Sequence, residues 1–175
     1  MEDLEDTLIT LDRRGINRLL PHGWPWRFLR QARFCSGYNK SYPQLRKVTA
    51  VAVIPTFLVG INPFLARVFS LGHFPGKLIV PGCLFAEVIA QAVAVKFAYG
   101  ANGRLPQLLR YSGECRQIVL PSTRLFVKVD VEYCGSQGCR ASGKIYRCKP
   151  DGSEGELAAE GSIVGRWANQ KEKEV

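Results

Sequence analysis

The chain has 175 residues, 46% of them hydrophobic, which suits a single globular domain with a real core and excludes a disordered chain. Lys and Arg number 24 against 15 Asp and Glu, a formal charge of +9, so the partner or substrate is expected to be anionic. The opening MEDLEDTLITLD is acidic where a secretory segment would be basic and then apolar, so no signal peptide is expected. Apolar residues 78–98 are interrupted by Pro81, Gly82, Glu87, Gln91 and Lys96, which argues against a bilayer span.

In chain order, residues 1–12 read as a flexible lead-in and residues 13–167 as one domain. Residues 13–20 suit a short helix that Pro21 ends, because proline disfavours the helical region for the residue before it. Aromatic and basic residues follow in GWPWRFLRQARF, with no element assigned. Residues 48–54 read as a strand that Pro55 breaks, and residues 56–71 form an apolar run that declares neither helix nor strand. Residues 83–98 contain no breaker and are apolar around nearly the whole circumference, as expected of a helix buried in the middle of a fold. Four strands are then expected, at 108–120, 125–133, 139–148 and 156–167, separated by PST, GSQG and PDGSEG. Lys128, Asp130 and Glu132 alternate with Val127, Val129 and Val131, the pattern of a strand wet on one side. Residues 168–175 read as a disordered tail. An antiparallel sheet wrapped around one helix would bury both apolar surfaces at once, which makes the fold class α+β.

Six cysteines (Cys35, Cys83, Cys115, Cys134, Cys139, Cys148) form no C-x-x-C pair and have no histidine nearby in sequence. No metal site is therefore expected, and reduced thiols in a cytoplasm are the default, with a Cys134–Cys139 bridge across a hairpin turn as the alternative.

The chemistry concentrates in GHFPGKLIVPGCLFAEVIAQ, residues 72–91, which places one of only two histidines between glycine–proline corners and a glutamate inside an apolar run. A helix starting after Pro81–Gly82 presents unpaired N–H groups able to stabilise a developing oxyanion. Glu87 lies about one turn in, and Gln91, four residues on, shares its face and can hydrogen-bond its carboxyl. A glutamate in apolar surroundings tends to stay protonated near neutrality and so to serve as an acid. Histidine needs little tuning to act as a base. One base and one acid beside an anion-stabilising helix end suit proton removal and expulsion of a hydroxide. By residue type alone, a lone histidine at a turn and a buried glutamate are more often structural than catalytic.

The segment resembles the signature of the 3-hydroxyacyl-[acyl carrier protein] dehydratases of bacterial fatty acid synthesis (FabZ-like, hot-dog fold). It carries Gly72-His73-Phe74-Pro75-Gly76, then Pro81-Gly82, then Glu87, Ala90 and Gln91 with the family spacing. Upstream, Ile16-Asn17-Arg18-Leu19-Leu20-Pro21-His22 resembles the family's opening motif, and Trp24-Pro25-Trp26 follows as an aromatic–proline–aromatic. The resemblance implies a hot-dog fold, with an antiparallel sheet around a central apolar helix. It implies that His73 takes the C2 proton of a 3-hydroxyacyl thioester, Glu87 protonates the departing hydroxyl and the Gly82 N–H holds the thioester carbonyl. Gln91, Phe74, Pro75 and Gly76 would be supporting residues, and His22 would be structural. It further implies a dimer, homomeric or with a related dehydratase, because the family's glutamate faces the other subunit's histidine. Glutamate rather than aspartate at position 87 favours a dehydratase without isomerase activity. No dissociable cofactor is implied, since the substrate arrives on the phosphopantetheine arm of an acidic acyl carrier protein. Lys77, Lys96, Arg104, Arg110 and Arg116 are candidates for docking it. Neither nucleic acid nor a membrane is expected as a partner.

The chain departs from the family pattern in residues 35–71, which are longer than usual, and at Cys115, where a phenylalanine usually lines the acyl tunnel. These departures favour a specialised pathway, a polyketide or polyene assembly line with an unusual acyl chain, over ordinary fatty acid biosynthesis. A hot-dog acyl thioesterase and a catalytically silent partner subunit are the alternative readings.

Overall fold

A computed structural model describes residues 7–20, 22, 26–36, 43–55, 79–100 and 106–167. Seven strands and three helices are present among them: β1 (Leu8–Leu11), α1 (Arg13–Leu19), β2 (Leu29–Cys35), α2 (Pro43–Arg46), β3 (Lys47–Val53), α3 (Cys83–Gly100), β4 (Pro106–Cys115), β5 (Arg124–Cys134), β6 (Gly138–Cys148) and β7 (Glu154–Trp167). The strands make one sheet in the order β1-β2-β3-β5-β6-β7-β4, antiparallel throughout.

The alternation read in β5 decides which face is inside. Leu125, Val127, Val129 and Val131 are buried, while Lys128 between them is exposed. Neighbouring strands continue that inner face with Val48, Ala50 and Ala52 from β3 and Ala141 and Ile145 from β6. Against it lies α3, whose Phe85, Val88, Ile89, Ala92, Val93, Val95 and Phe97 are all buried. A helix apolar on every side needs a surrounding surface, and the sheet supplies it. Register shifts in β2–β3, β4–β7, β5–β6 and β6–β7 bend the strands, as bulges do, and so curve the sheet around the helix. Helix and sheet pack tightly at Gly143, where an added Cβ would stand 2.8 Å from two Ile89 side-chain carbons.

Several expected boundaries shift. The lead-in at 1–12 is not free over its described part: Leu8–Leu11 pairs with β2, and the Asp12 side chain caps α1 by accepting from Gly15 N at 2.8 Å. β2 falls in the segment given no element. Phe28 and Leu29 are both buried beside a shift at Leu29/Gln31, which erases the simple alternation there. β4 stops at Cys115 rather than 120, because Arg116 N and Gln117 N both turn to the Ala158 carbonyl, at 2.8 and 3.1 Å. Within the long 35–71 segment the described part is Cys35, Ser36, α2, β3 and the two residues after β3; residues 37–42 and 56–71 and the 168–175 tail lie outside the described residues. All six cysteines are free thiols, Cys134 and Cys139 included, although these two face each other across the β5–β6 hairpin.

Candidate active site

Pro81 and Gly82 lead directly into α3, whose first turn closes through Leu84 N to Pro81 O at 3.0 Å and Phe85 N to Gly82 O at 3.1 Å. Upstream, Val80 N donates to Val119 O at 2.9 Å, which ties the helix entry to the chain beyond β4. A cavity of 310 Å³ opens here, lined by Ile79, Pro81, Gly82, Phe85, Cys115 and Ile118 among others. Gly82 packs close to Cys115: a Cβ there would lie 2.8 Å from Cys115 Sγ. Burial, then the neighbouring Cys83 thiol, pushes the Cys115 thiol above its ordinary range, so Cys115 presents the cavity with a small neutral wall.

Glu87 sits one turn inside α3 with its side chain 28% exposed, and Gln91 Nε2 donates to its Oε1 at 2.8 Å. Gln91 is fully buried, and every polar hydrogen and acceptor of its amide is engaged. Its Oε1 accepts from Phe28 N at 3.0 Å, and its Nε2 also donates to the Trp26 carbonyl. That pattern fixes the orientation of the amide, since exchanging O and N would set an NH2 against the Phe28 N–H.

The same stretch of chain brings in a residue assigned only a structural part. His22 Nε2 lies 3.1 Å from Glu87 Oε1, so the histidine of the upstream motif and the glutamate of the downstream one meet within a single protomer. Arg27 Nε donates to the His22 carbonyl and holds the backbone there. The only hint in the sequence was the motif around His22 itself, which carries no chemistry by spacing alone. His73, Phe74, Pro75 and Gly76 lie outside the described residues.

Lys96 does not belong to a docking surface. It is 4% exposed, and its Nζ donates to the Cys35 carbonyl at 2.8 Å and stands 5.5 Å from the Phe34 ring centroid. The α3 face that carries it packs inward. Arg116 is exposed and paired with Glu114 and Glu160, both at 2.8 Å, and Arg110 is exposed, whereas Lys77 and Arg104 lie outside the described residues. Among the described residues no cluster of His, Cys, Asp and Glu could hold a metal ion, and no helix is long and apolar enough to cross a membrane. A second concavity of 820 Å³ is lined by outward-facing Lys47, Lys128, Lys144 and Glu160, and includes none of Gly82, Glu87 and Gln91.

A FabA-like domain model matches residues 65–154, just over half of the chain, spanning the helix entry, Glu87 and Gln91. The chain belongs to the FabA-like domain family. Its similarity extends well beyond that window to proteins named 3-hydroxyacyl-[acyl-carrier-protein] dehydratase FabZ. The one from Anaeromyxobacter is 26% identical over 172 residues, covering 93% of this chain and 94% of that protein. Those from Bordetella pertussis (26% identical, 88% and 93%) and Ehrlichia chaffeensis (25%, 85% and 90%) are similar to a like extent. Among solved structures, the dehydratase heterocomplex ApeI:P from Xenorhabdus doucetiae aligns with a TM-score of 0.59 and 17% identity, covering 90% of this chain and 93% of that one. This FabZ-like member of the FabA-like family therefore has the hot-dog fold, its sheet rolled around α3.

Proposed function

We propose that the protein dehydrates a 3-hydroxyacyl thioester, carried on the phosphopantetheine arm of an acyl carrier protein, to the trans-2-enoyl thioester. The observation that carries this reading is the Glu87 carboxyl, held by Gln91 at 2.8 Å on a buried helix whose entry at Gly82 opens on a cavity. In the proposed reaction His73 removes the C2 proton, the C2–C3 double bond forms as the C3–O bond breaks, and Glu87 gives its proton to the departing hydroxyl, releasing water. The Gly82 N–H donates to the thioester oxygen as enolate character builds, aided by the partial positive charge of the helix start. A partner copy or a related dehydratase would supply the His73 that faces Glu87, and the charge of +9 suits an acidic carrier. We place the enzyme in a cytoplasmic, specialised polyketide or polyene pathway; the small Cys115 wall beside Gly82 supports an acyl chain differing from the ordinary saturated series.

Purified protein is mixed with 3-hydroxyacyl carriers of several chain lengths, and enoyl absorbance is followed. The wild type should form enoyl product, and Glu87→Gln should lower turnover by about 10²–10⁴-fold, the range for loss of a general acid. Release of free acid with no enoyl product would overturn the dehydratase reading. A chain-length profile peaking on ordinary saturated substrates would overturn the specialised one alone.

A further inference from the structure

His22 and Glu87 come from separate motifs, and the fold joins them. Two nitrogens converge on one oxygen of the Glu87 carboxyl: Gln91 Nε2 donates to Oε1 at 2.8 Å, and His22 Nε2 stands 3.1 Å from the same Oε1. Among the described residues, no donor reaches Oε2. The His22 Nδ1 is buried with no hydrogen-bond partner among the described residues. A buried ring nitrogen left unmet costs stability. The backbone that carries the ring is nonetheless held, because Arg27 donates to the His22 carbonyl and Gln91 bonds the Trp26 carbonyl and the Phe28 N–H.

We propose that His22 is a positioning residue that determines which Glu87 oxygen carries the transferable proton, an inference that rests on the dehydratase reading for its consequence. A neutral carboxyl has one carbonyl-like oxygen, which accepts hydrogen bonds, and one hydroxyl oxygen, which donates. An N–H donated from His22 Nε2 beside that of Gln91 would make Oε1 the acceptor and leave the proton on Oε2, turned toward the leaving hydroxyl. Once that proton has moved to the hydroxyl and water departs, the same two donors stabilise the carboxylate left behind. With the His22 donor absent, the carboxyl is held from one side by Gln91 alone, and its rotation spreads the proton over unproductive directions.

The test compares wild type, His22→Ala and His22→Gln, the last placing an amide N–H near the position of Nε2. Their thermal unfolding is recorded, together with enoyl formation and the 13C resonance of the Glu87 carboxyl, assigned through Glu87→Gln. H22A should lower kcat roughly tenfold to a hundredfold with KM changed by less than about twofold, and H22Q should recover most of it. The carboxyl resonance should move in H22A and return toward the wild-type position in H22Q. Unchanged kcat in H22A, or a carboxyl resonance that does not move, overturns the proposal, as does H22Q remaining as impaired as H22A while as stable as wild type. An inactive wild type would overturn the dehydratase reading, and the resonance would still decide whether His22 acts on Glu87.

Discussion

Gln91 and Lys96 lie five residues apart on α3, both polar and both almost wholly removed from water, and the helix treats them differently. Gln91 meets its demands with neutral partners, so its burial costs little and joins the 26–28 segment to the helix carrying Glu87. Lys96 buries a charge. Burial lowers its pKa from 10.5 to about 8, against the opposing influence of the Cys35 and Cys134 thiols. Because the folded value is the lower one, the unfolded chain binds more protons between about 8 and 10.5, and stability from this group rises with pH across that window. Below about 8 the lysine is charged in both states and its desolvation penalty is fully felt. Urea unfolding from pH 7 to 10 should therefore show wild type gaining about 1–3 kcal/mol relative to Lys96→Met as pH rises, unfolded-state thiols and tyrosines cancelling in the difference. A difference flat with pH would mean that Lys96 keeps its proton at no cost.

The central helix and the strands that enclose it are matched in shape as well as in polarity. Ile89 of α3 fills the space left by the missing side chain of Gly143 on β6, with carbons at 2.8 to 2.9 Å from where a Cβ would stand. Gly143→Val must push the helix or the strand away, which should destabilise the protein by about 1–3 kcal/mol in chemical denaturation. In that background Ile89→Ala should cost less than it does in wild type, since it empties the space that valine needs. Equal costs in both backgrounds would show that the two positions do not meet. At the edge of the fold Arg46 of α2 grips Asp130 of β5 through Nε at 2.9 Å and Nη2 at 2.8 Å, and also donates to the Val131 carbonyl. The pair is part-exposed, so its worth is modest, but its two-pronged geometry fixes how the 43–46 turn sits on the sheet.

At the scale of the whole molecule, the sheet formed by the described strands ends at β1 on one side and β4 on the other. β4 runs 10 residues beside β7, and among the described residues no strand pairs with its other edge, where Leu108 is 42% and Leu109 60% exposed. A long edge with bare leucines is a surface that a monomer would be expected to shield. If Glu87 requires a partner's His73, the working species is a dimer. Sedimentation should then report twice the chain mass, and Leu109→Lys should lower the dimer fraction and the turnover together. Full activity from a species that sediments as a monomer would refute the shared site.

What the linear chain decided is what short-range geometry can decide. An apolar circumference over residues 83–98 required an enclosed helix, found as Cys83–Gly100, and the alternation around Val127, Val129 and Val131 required a sheet with one inner face. A four-residue spacing put Gln91 within reach of Glu87, because residues one turn apart share a helix face. β1 and β2 were not legible: β1 is four residues stabilised by pairing with β2, and the bulge at Leu29/Gln31 hides the alternation of β2. Only the tertiary structure decided that Lys96 is buried and that His22 stands against Glu87. Both follow from how His22 and residues 26–36 are laid against α3, and contacts between distant parts of a chain depend on register and curvature, which no local periodicity encodes.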